Sequence, residues 1–240
     1  MIIIENIEIL YDSIKYPSTD WLKVIILGVL ILLPIIGLLY SFTAISLILL
    51  LFGFLPLGYL YRIIKSFIAG SDVLPDFDDW SLMATDGLKI AIVATGYNIP
   101  LILFALILTI MQGTLSSLFI SGFTIWSFLT GSPLQLIIFI LISIIESIAL
   151  ANMALYNGEI SAAFRFREIL ERISMIGWVK YLSWYVSILL IGLITIIIAN
   201  FTMMIIIGII IVPLIIIPYA AIIITRSLAL IFASSESYES

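Results

Sequence analysis

From Val186 to Ile224 the chain carries no charged side chain, and that run constrains the fold more than any other feature. A helix rises about 1.5 Å per residue, so roughly 20 apolar residues cross the ~30 Å hydrocarbon layer of a bilayer. The run is too long for one crossing and too apolar for a water-soluble core. It must double back as a helical hairpin, and the polar break at Ala199-Asn200-Phe201-Thr202 is read as its turn.

The rest of the chain repeats this pattern. Apolar residues make up 63% of it and charged residues 10%, against roughly 45–50% and about 25% in soluble domains. A soluble protein of this length has too little interior for so much apolar surface, so lipid is the solvent that fits. The predicted fold is all-α, a polytopic bundle of six spans at about 22–40, 43–61, 87–111, 133–156, 179–199 and 203–225. The second span is expected to continue as helix past Arg62 and Lys65 towards Ala69. Pro100 in the third span and Pro213 and Pro218 in the sixth predict bends, because proline removes a backbone donor and crowds the preceding turn. Two amphipathic helices, about 2–16 and 162–176, are placed at the cytoplasmic surface. Ile3, Ile7, Leu10 and Ile14 lie on one face of the first, with Glu5, Glu8, Asp12 and Lys15 opposite. The charge-free segment 112–133 is read as an interfacial loop, with a re-entrant half-span as the alternative. The acidic tail 233–240 is expected to be disordered.

Charge placement gives the topology. With six crossings all ten Lys and Arg fall on one side, and the connections near Ser41, 112–133 and Asn200 hold none. The positive-inside rule then places both termini in the cytoplasm of a cell membrane. Net charge is -5, which offers no basic face to nucleic acid. The chain has no Cys and no His, so thiol chemistry is excluded and the commonest general base and transition-metal ligand are missing. No enzyme activity and no cofactor are expected. The N-terminus lacks a basic region and a small-residue cleavage site, so no signal peptide is expected.

The chain carries either an internal period or simply the tryptophan and lysine common at membrane interfaces. Asp20-Trp21-Leu22-Lys23, Asp79-Trp80 with Lys89, and Gly177-Trp178-Val179-Lys180 each open a pair of spans. Tyr16-Pro17, Gly58-Tyr59-Leu60-Tyr61-Arg62, Leu74-Pro75 with Asp78-Asp79-Trp80, Asp86-Gly87-Leu88-Lys89, and Ala163-Phe164-Arg165-Phe166 with Ile176-Gly177-Trp178 complete the pattern. Together these resemble the mainly archaeal membrane proteins grouped as domain-of-unknown-function family 4013. The resemblance covers nearly the whole chain. It implies an uncharacterised multi-pass membrane protein and brings no activity or site residue with it.

Candidate functional residues therefore come from the chemistry alone. Glu146 is the one ionisable residue in mid-span. A charge there costs at least ~2.5–3.5 kcal/mol, so Glu146 must face protein or water, or be protonated. Asn98, Tyr97, Asn152, Gln112 and Tyr156 are its candidate partners, giving a ligand or ion site or a single interhelical hydrogen bond. Arg62 and Arg226 close the second and sixth spans and are candidates for gripping a lipid phosphate, or for snorkelling and pairing with carboxylates. Asp72, Asp76, Asp78, Asp79 and Asp86 crowd one loop, but their spacing fits helix capping and pairing with Arg62 or Lys65 better than a metal site, and none is predicted. Two functions follow: binding or transport of a small or lipidic ligand at Glu146, or a membrane scaffold that docks a homo-oligomer or membrane protein partner. The natural absence of cysteine makes the topology testable. Single thiols at Ser71 and Ser161 should react with an impermeant maleimide from one side of the membrane, and one at Ser116 from the other; labelling of all three from the same side contradicts six crossings.

Overall fold

The computed structural model describes residues 2–39, 43–111 and 133–235. Helix α1 is Ile2–Lys15, followed by a 3-10 turn at Tyr16–Thr19. Then come α2 at Trp21–Leu39, α3 at Ala44–Leu51, α4 at Phe54–Ile68 and α5 at Trp80–Met111. Helix α6 is Pro133–Leu155, and a 3-10 turn at Ile160–Phe164 leads to α7 at Phe166–Ile176. Helix α8 is Trp178–Met203, α9 is Gly208–Ile211, and a π turn at Val212–Ile216 joins it to α10 at Ile217–Ala233. Six helical segments are long and apolar enough to span a membrane: α2, α3 with α4, α5, α6, α8, and α9 through α10.

Local chemistry sets the starts. Asp20 caps α2, its carboxylate accepting from the Leu22 and Lys23 amides. Asp79 caps α5 in the same way, accepting from the Leu82 amide. The third span therefore begins at Trp80, ahead of the expected Gly87. Trp21, Trp80 and Trp178 are the first residues of α2, α5 and α8, so each pair of spans opens on its interfacial tryptophan.

Three expected boundaries move. The last hairpin does not turn at Ala199–Thr202. Asn200 Nδ2 donates to the Ile196 carbonyl at 2.8 Å and Thr202 Oγ1 to the Ile198 carbonyl at 2.7 Å, so both polar side chains are satisfied inside the helix. The turn falls at 204–207, where Gly208 presses on Thr202; a Cβ on Gly208 would lie 1.8 Å from the Thr202 carbonyl oxygen. The sixth span is correspondingly displaced from 203–225 to Gly208–Ala233. At its end α10 reaches Ala233 and Ser235 is buried, bonded to the Phe232 carbonyl, so the first residues of the expected tail are packed. Positions 236–240 and the segment 112–132 lie outside the described residues. The amphipathic helix expected over 162–176 is divided at Arg165 into the 3-10 turn and α7.

Pro213 sits in the π turn and Pro218 in the first turn of α10, where a missing amide donor does least harm. Glycine lets backbones touch at two crossings. Gly28 of α2 meets the π turn, its would-be Cβ 2.2 Å from the Leu214 carbonyl oxygen. Gly58 of α4 and Gly87 of α5 face Met83 and Phe54 reciprocally, each would-be Cβ falling 1.8 Å from the opposing carbonyl oxygen. Small residues drive such packing in lipid, where apolar side chains gain nothing by leaving the solvent. Helix α1 turns Ile4, Ile7, Tyr11 and Ile14 outwards and buries Asn6 and Ser13. Asn6 Nδ2 donates to the Lys180 carbonyl and to Ser183 Oγ, while Glu5 pairs with Lys180 at 2.8 Å. The docked face is therefore mixed: Asn6 and Ser13 lie beside Ile9 and Leu10, which pack on the core, while Ile4, Ile7, Tyr11 and Ile14 point outwards.

Gly58→Ala should lower stability by about 1–3 kcal/mol through overpacking of the α4–α5 crossing. Gly192→Ala, in open space on α8, should be neutral or gain up to ~1 kcal/mol. Thermal unfolding in matched detergent compares them, and equal behaviour of the two variants contradicts the close crossing.

Candidate functional site

The loop from Gly70 to Asp79 has no ladder of its own, so its carbonyl groups need donors from elsewhere. Lys23 of α2 donates to the Leu74 carbonyl at 2.6 Å and pairs with Asp76 at 2.8 Å. Tyr59 of α4 donates to the Pro75 carbonyl at 3.1 Å. Arg62 donates to the carbonyls of Asp76, Asp78 and Asp79 and pairs with the Asp78 carboxylate at 2.7 Å. Arg226 of α10 pairs with Asp72 at 2.9 Å and with Asp12 of α1 at 3.0 Å. Its guanidinium is 4.5 Å from the Tyr16 ring centre and 4.4 Å from that of Phe67, a cation–π enclosure. Cations from three spans thus converge on one acidic loop. Of the two readings the sequence left for Arg62 and Arg226, the structure shows the carboxylate pairing: Arg62 with Asp78, and Arg226 with Asp12 and Asp72.

The aspartates divide by role. Asp79 caps α5, while Asp72, Asp76 and Asp78 neutralise the three clamp cations. Asp86, 1% exposed, lies between Lys65 at 3.3 Å and Lys89 at 3.6 Å. Among the described residues no three acidic groups converge as a metal site. The hydrogen bond and charge of Lys23 hold the Asp76 carboxyl below the usual carboxylate range, and Lys180 does the same for Glu5. Burial pushes the Tyr16 hydroxyl up to about 12.

The interior carboxyl sits on α6. Asn98 Nδ2 of α5 donates to Glu146 Oε2 at 3.2 Å and to the Ala94 carbonyl at 2.9 Å. One helical turn brings Ser143, Glu146 and Ser147 to a common face. Ser147 and Tyr181 share a hydrogen bond of 2.7 Å, Ser143 bonds the Tyr185 hydroxyl, and Tyr181 also donates to the Ile144 carbonyl. Beside them lies a cavity of about 380 Å³ between α4, α5, α6 and α10, lined by Glu146, Asn98, Ser143, Ser147 and Thr225 among otherwise apolar side chains and the ring of Tyr61. Its size falls within the ~300–1,000 Å³ range of small-ligand pockets.

Of the residues proposed from sequence, Glu146 and Asn98 come together. Tyr97 and Asn152 do not join them. Tyr97 donates to the Ala163 carbonyl at 2.6 Å and stacks on Phe164, and Asn152 donates to the Ala162 carbonyl at 3.0 Å. Both hold the 3-10 turn at Ile160–Phe164. Tyr156 lies outside the span under the Arg165 guanidinium, 4.5 Å from its ring centre, and Gln112 falls outside the described residues. Ser143, Ser147, Tyr181, Tyr185 and Thr225 complete the polar lining and its supports, and sequence reasoning passed over them. The usable signal was spacing: 143, 146 and 147 on one helix, 181 and 185 on another.

A bundle of apolar spans with its cations gathered at one end and one carboxyl inside defines a multi-pass helical membrane protein. A family model described as a protein of unknown function (DUF4013) matches residues 41–204, and the chain belongs to that family. No curated protein and no solved structure matches the chain.

Removing the buried cation of the clamp should be costly. Arg226→Met should destabilise the protein by about 2 kcal/mol, less than the roughly 3–5 for breaking a fully buried pair because Asp12 and Asp72 are partly solvated. Thermal unfolding measures it, and an unchanged midpoint contradicts the clamp.

Proposed function

We propose that the protein binds a small, largely apolar molecule with a cationic or hydrogen-bond-donating head in the cavity beside Glu146, and carries it through the membrane. The observation behind this reading is the state of Glu146. A carboxylate offers about four acceptor sites, yet among the described residues Glu146 receives one hydrogen bond, from Asn98. A purely structural acid in lipid would be expected to have its partners in the protein, because an unmet polar group there costs several kcal/mol. The apolar remainder of the wall suits the body of an amphiphile, and Asn98 and Glu146 suit its head. The positive-inside rule assigns the charged end, with both termini, to the cytoplasmic side. Among the described residues no serine or tyrosine hydroxyl is hydrogen-bonded to Glu146, so binding and movement are favoured over catalysis.

The test uses the fluorescent primary amine dansyl-cadaverine with protein in lipid nanodiscs and in proteoliposomes. Glu146→Gln should weaken binding by about tenfold or more, the worth of one charge-assisted hydrogen bond, and should reduce uptake in parallel. Equal binding by wild type and variant, or no binding by either, contradicts the reading and favours a packed membrane scaffold.

A further inference from the structure

Two buried polar atoms near the charged end stand apart from the clamp and from the Glu146 hydrogen bonds. The Tyr61 hydroxyl and Asp86 Oδ1 are enclosed without a hydrogen-bond partner, Asp86 Oδ1 having only the Lys89 ammonium at 3.6 Å, on residues 0% and 1% exposed. Buried polar atoms without partners are rare in folded proteins. These two converge on Gly158. A Cβ built there would lie 3.2 Å from Lys89 Nζ, 3.5 Å from the Tyr61 hydroxyl and 3.8 Å from Asp86 Oδ1. Gly158 has φ of +83°, a conformation that strains any side chain at this point.

A cleft of about 630 Å³ opens beside them at the charged end, with Lys65, Ile68, Asp86 and Ala154 in its wall. The wall of the Glu146 cavity contains Tyr61, Ile64, Ile90 and Leu150. Each of these lies four positions from a cleft residue on the same helix: Tyr61 from Lys65 and Ile64 from Ile68 on α4, Ile90 from Asp86 on α5, Leu150 from Ala154 on α6. Four positions are about one helical turn, or ~6 Å. The two spaces are therefore stacked, with a partition one side chain thick. Tyr61 stands in it with its ring on the inner space and its hydroxyl towards Gly158 and Asp86.

We propose that the Glu146 cavity is loaded through this partition from the charged end, and that the molecule it takes is a small water-borne organic ammonium. The destination rests on the reading of Glu146 given above; the route rests on the stacked spaces alone. Carboxylates mark the way. Asp79 lies at the cleft and has no cation partner among the described residues, whereas Asp76, Asp78 and Asp86 are answered by Lys23, Arg62 and Lys65 with Lys89. Asp86 Oδ1 has only the Lys89 ammonium, 3.6 Å away, beyond hydrogen-bond distance, and Glu146 has one donor. The cleft's own cations are committed, Arg62 to the loop and Lys65 to Asp86. An ammonium group can add a charge-assisted hydrogen bond to these carboxylates, and the unpartnered Tyr61 hydroxyl can accept from it in passing.

The chain has no cysteine, so a single thiol replacing Ser147 reports on the inner space. Three reagents are compared on Ser147→Cys protein in nanodiscs: a cationic thiosulfonate, its anionic sulfonate counterpart, and N-phenylmaleimide, which partitions into lipid. Adding Tyr61→Ala should raise the cationic rate by about tenfold or more, as removal of a gate does. The anionic rate should rise less, the maleimide rate should stay unchanged, and Tyr61→Phe, which keeps the ring, should leave all three unaltered. If Tyr61→Ala does not fold, Leu150→Ala thins the same partition and should act in the same direction. Rates insensitive to both substitutions, or labelling by the lipid-soluble reagent alone, overturn the route and indicate loading from the bilayer. The labelling needs no ligand, so its outcome is separate from that of the Glu146→Gln binding assay.

Discussion

The ion pairs and carbonyl bonds that hold the acidic loop are the interaction the rest of the structure depends on. In lipid, burial of apolar side chains does little to draw helices together. Directional contacts at the water boundary must do more of it. Lys23, Arg62 and Arg226 come from the first, second and sixth spans, and all reach the loop between Gly70 and Asp79. Arg226 also ties α1 to the bundle through Asp12. Exposed ion pairs taken singly contribute ~0–1 kcal/mol; here the cationic side chains are sheltered and bind carbonyl groups as well as carboxylates. The same end holds α1, which docks through the buried Asn6 and Ser13 together with Ile9 and Leu10.

With that end fixed, close backbone crossings set the interior. The reciprocal contact of Gly58 and Gly87 brings α4 against α5, and α5 then carries Asn98 to α6. The large aromatic side chains Tyr61, Tyr97, Tyr181 and Trp184 are packed in the same core. By contrast the outer half of α8 exposes Leu190, Leu193, Ile197 and Phe201, as a helix bordered by lipid does. Among the described residues Glu146, Asn98, Ser143, Ser147 and Thr225 line the space between α4, α5, α6 and α10, and Ser143 and Ser147 also meet Tyr185 and Tyr181 of α8.

Much of the architecture was legible because lipid simplifies the code. Charge-free runs longer than one crossing force hairpins, and tryptophan with a neighbouring acid marks where α2 and α5 begin. Glu146 and Asn98 could be paired from sequence because an interior acid needs a donor and the adjoining span offered few. The failures have equally local causes. Asn200 and Thr202 look like turn residues, yet each bonds back to a helical carbonyl, and Gly208, which permits the reversal, was not weighed. For Arg62 and Arg226 the sequence offered a lipid phosphate or a carboxylate without naming every carboxylate, because the pairing of Arg226 with Asp72 spans 154 positions. Tyr97 and Asn152 lie near Glu146 along their helices but point to the Ile160–Phe164 turn, a matter of rotation that composition does not encode.

The central claim is that an interior carboxyl on α6 faces α5 inside a bundle whose charged end is clamped. Its most direct measurement is a short-span chemical cross-link between cysteines at positions 98 and 146, in a chain that has none of its own. A two-carbon bis-thiosulfonate should join the pair within one molecule in nanodiscs, and should fail to join position 98 to position 193 on the lipid-facing side of α8. Absence of the 98–146 link under conditions where each thiol reacts singly, or a link formed between two molecules, contradicts the account.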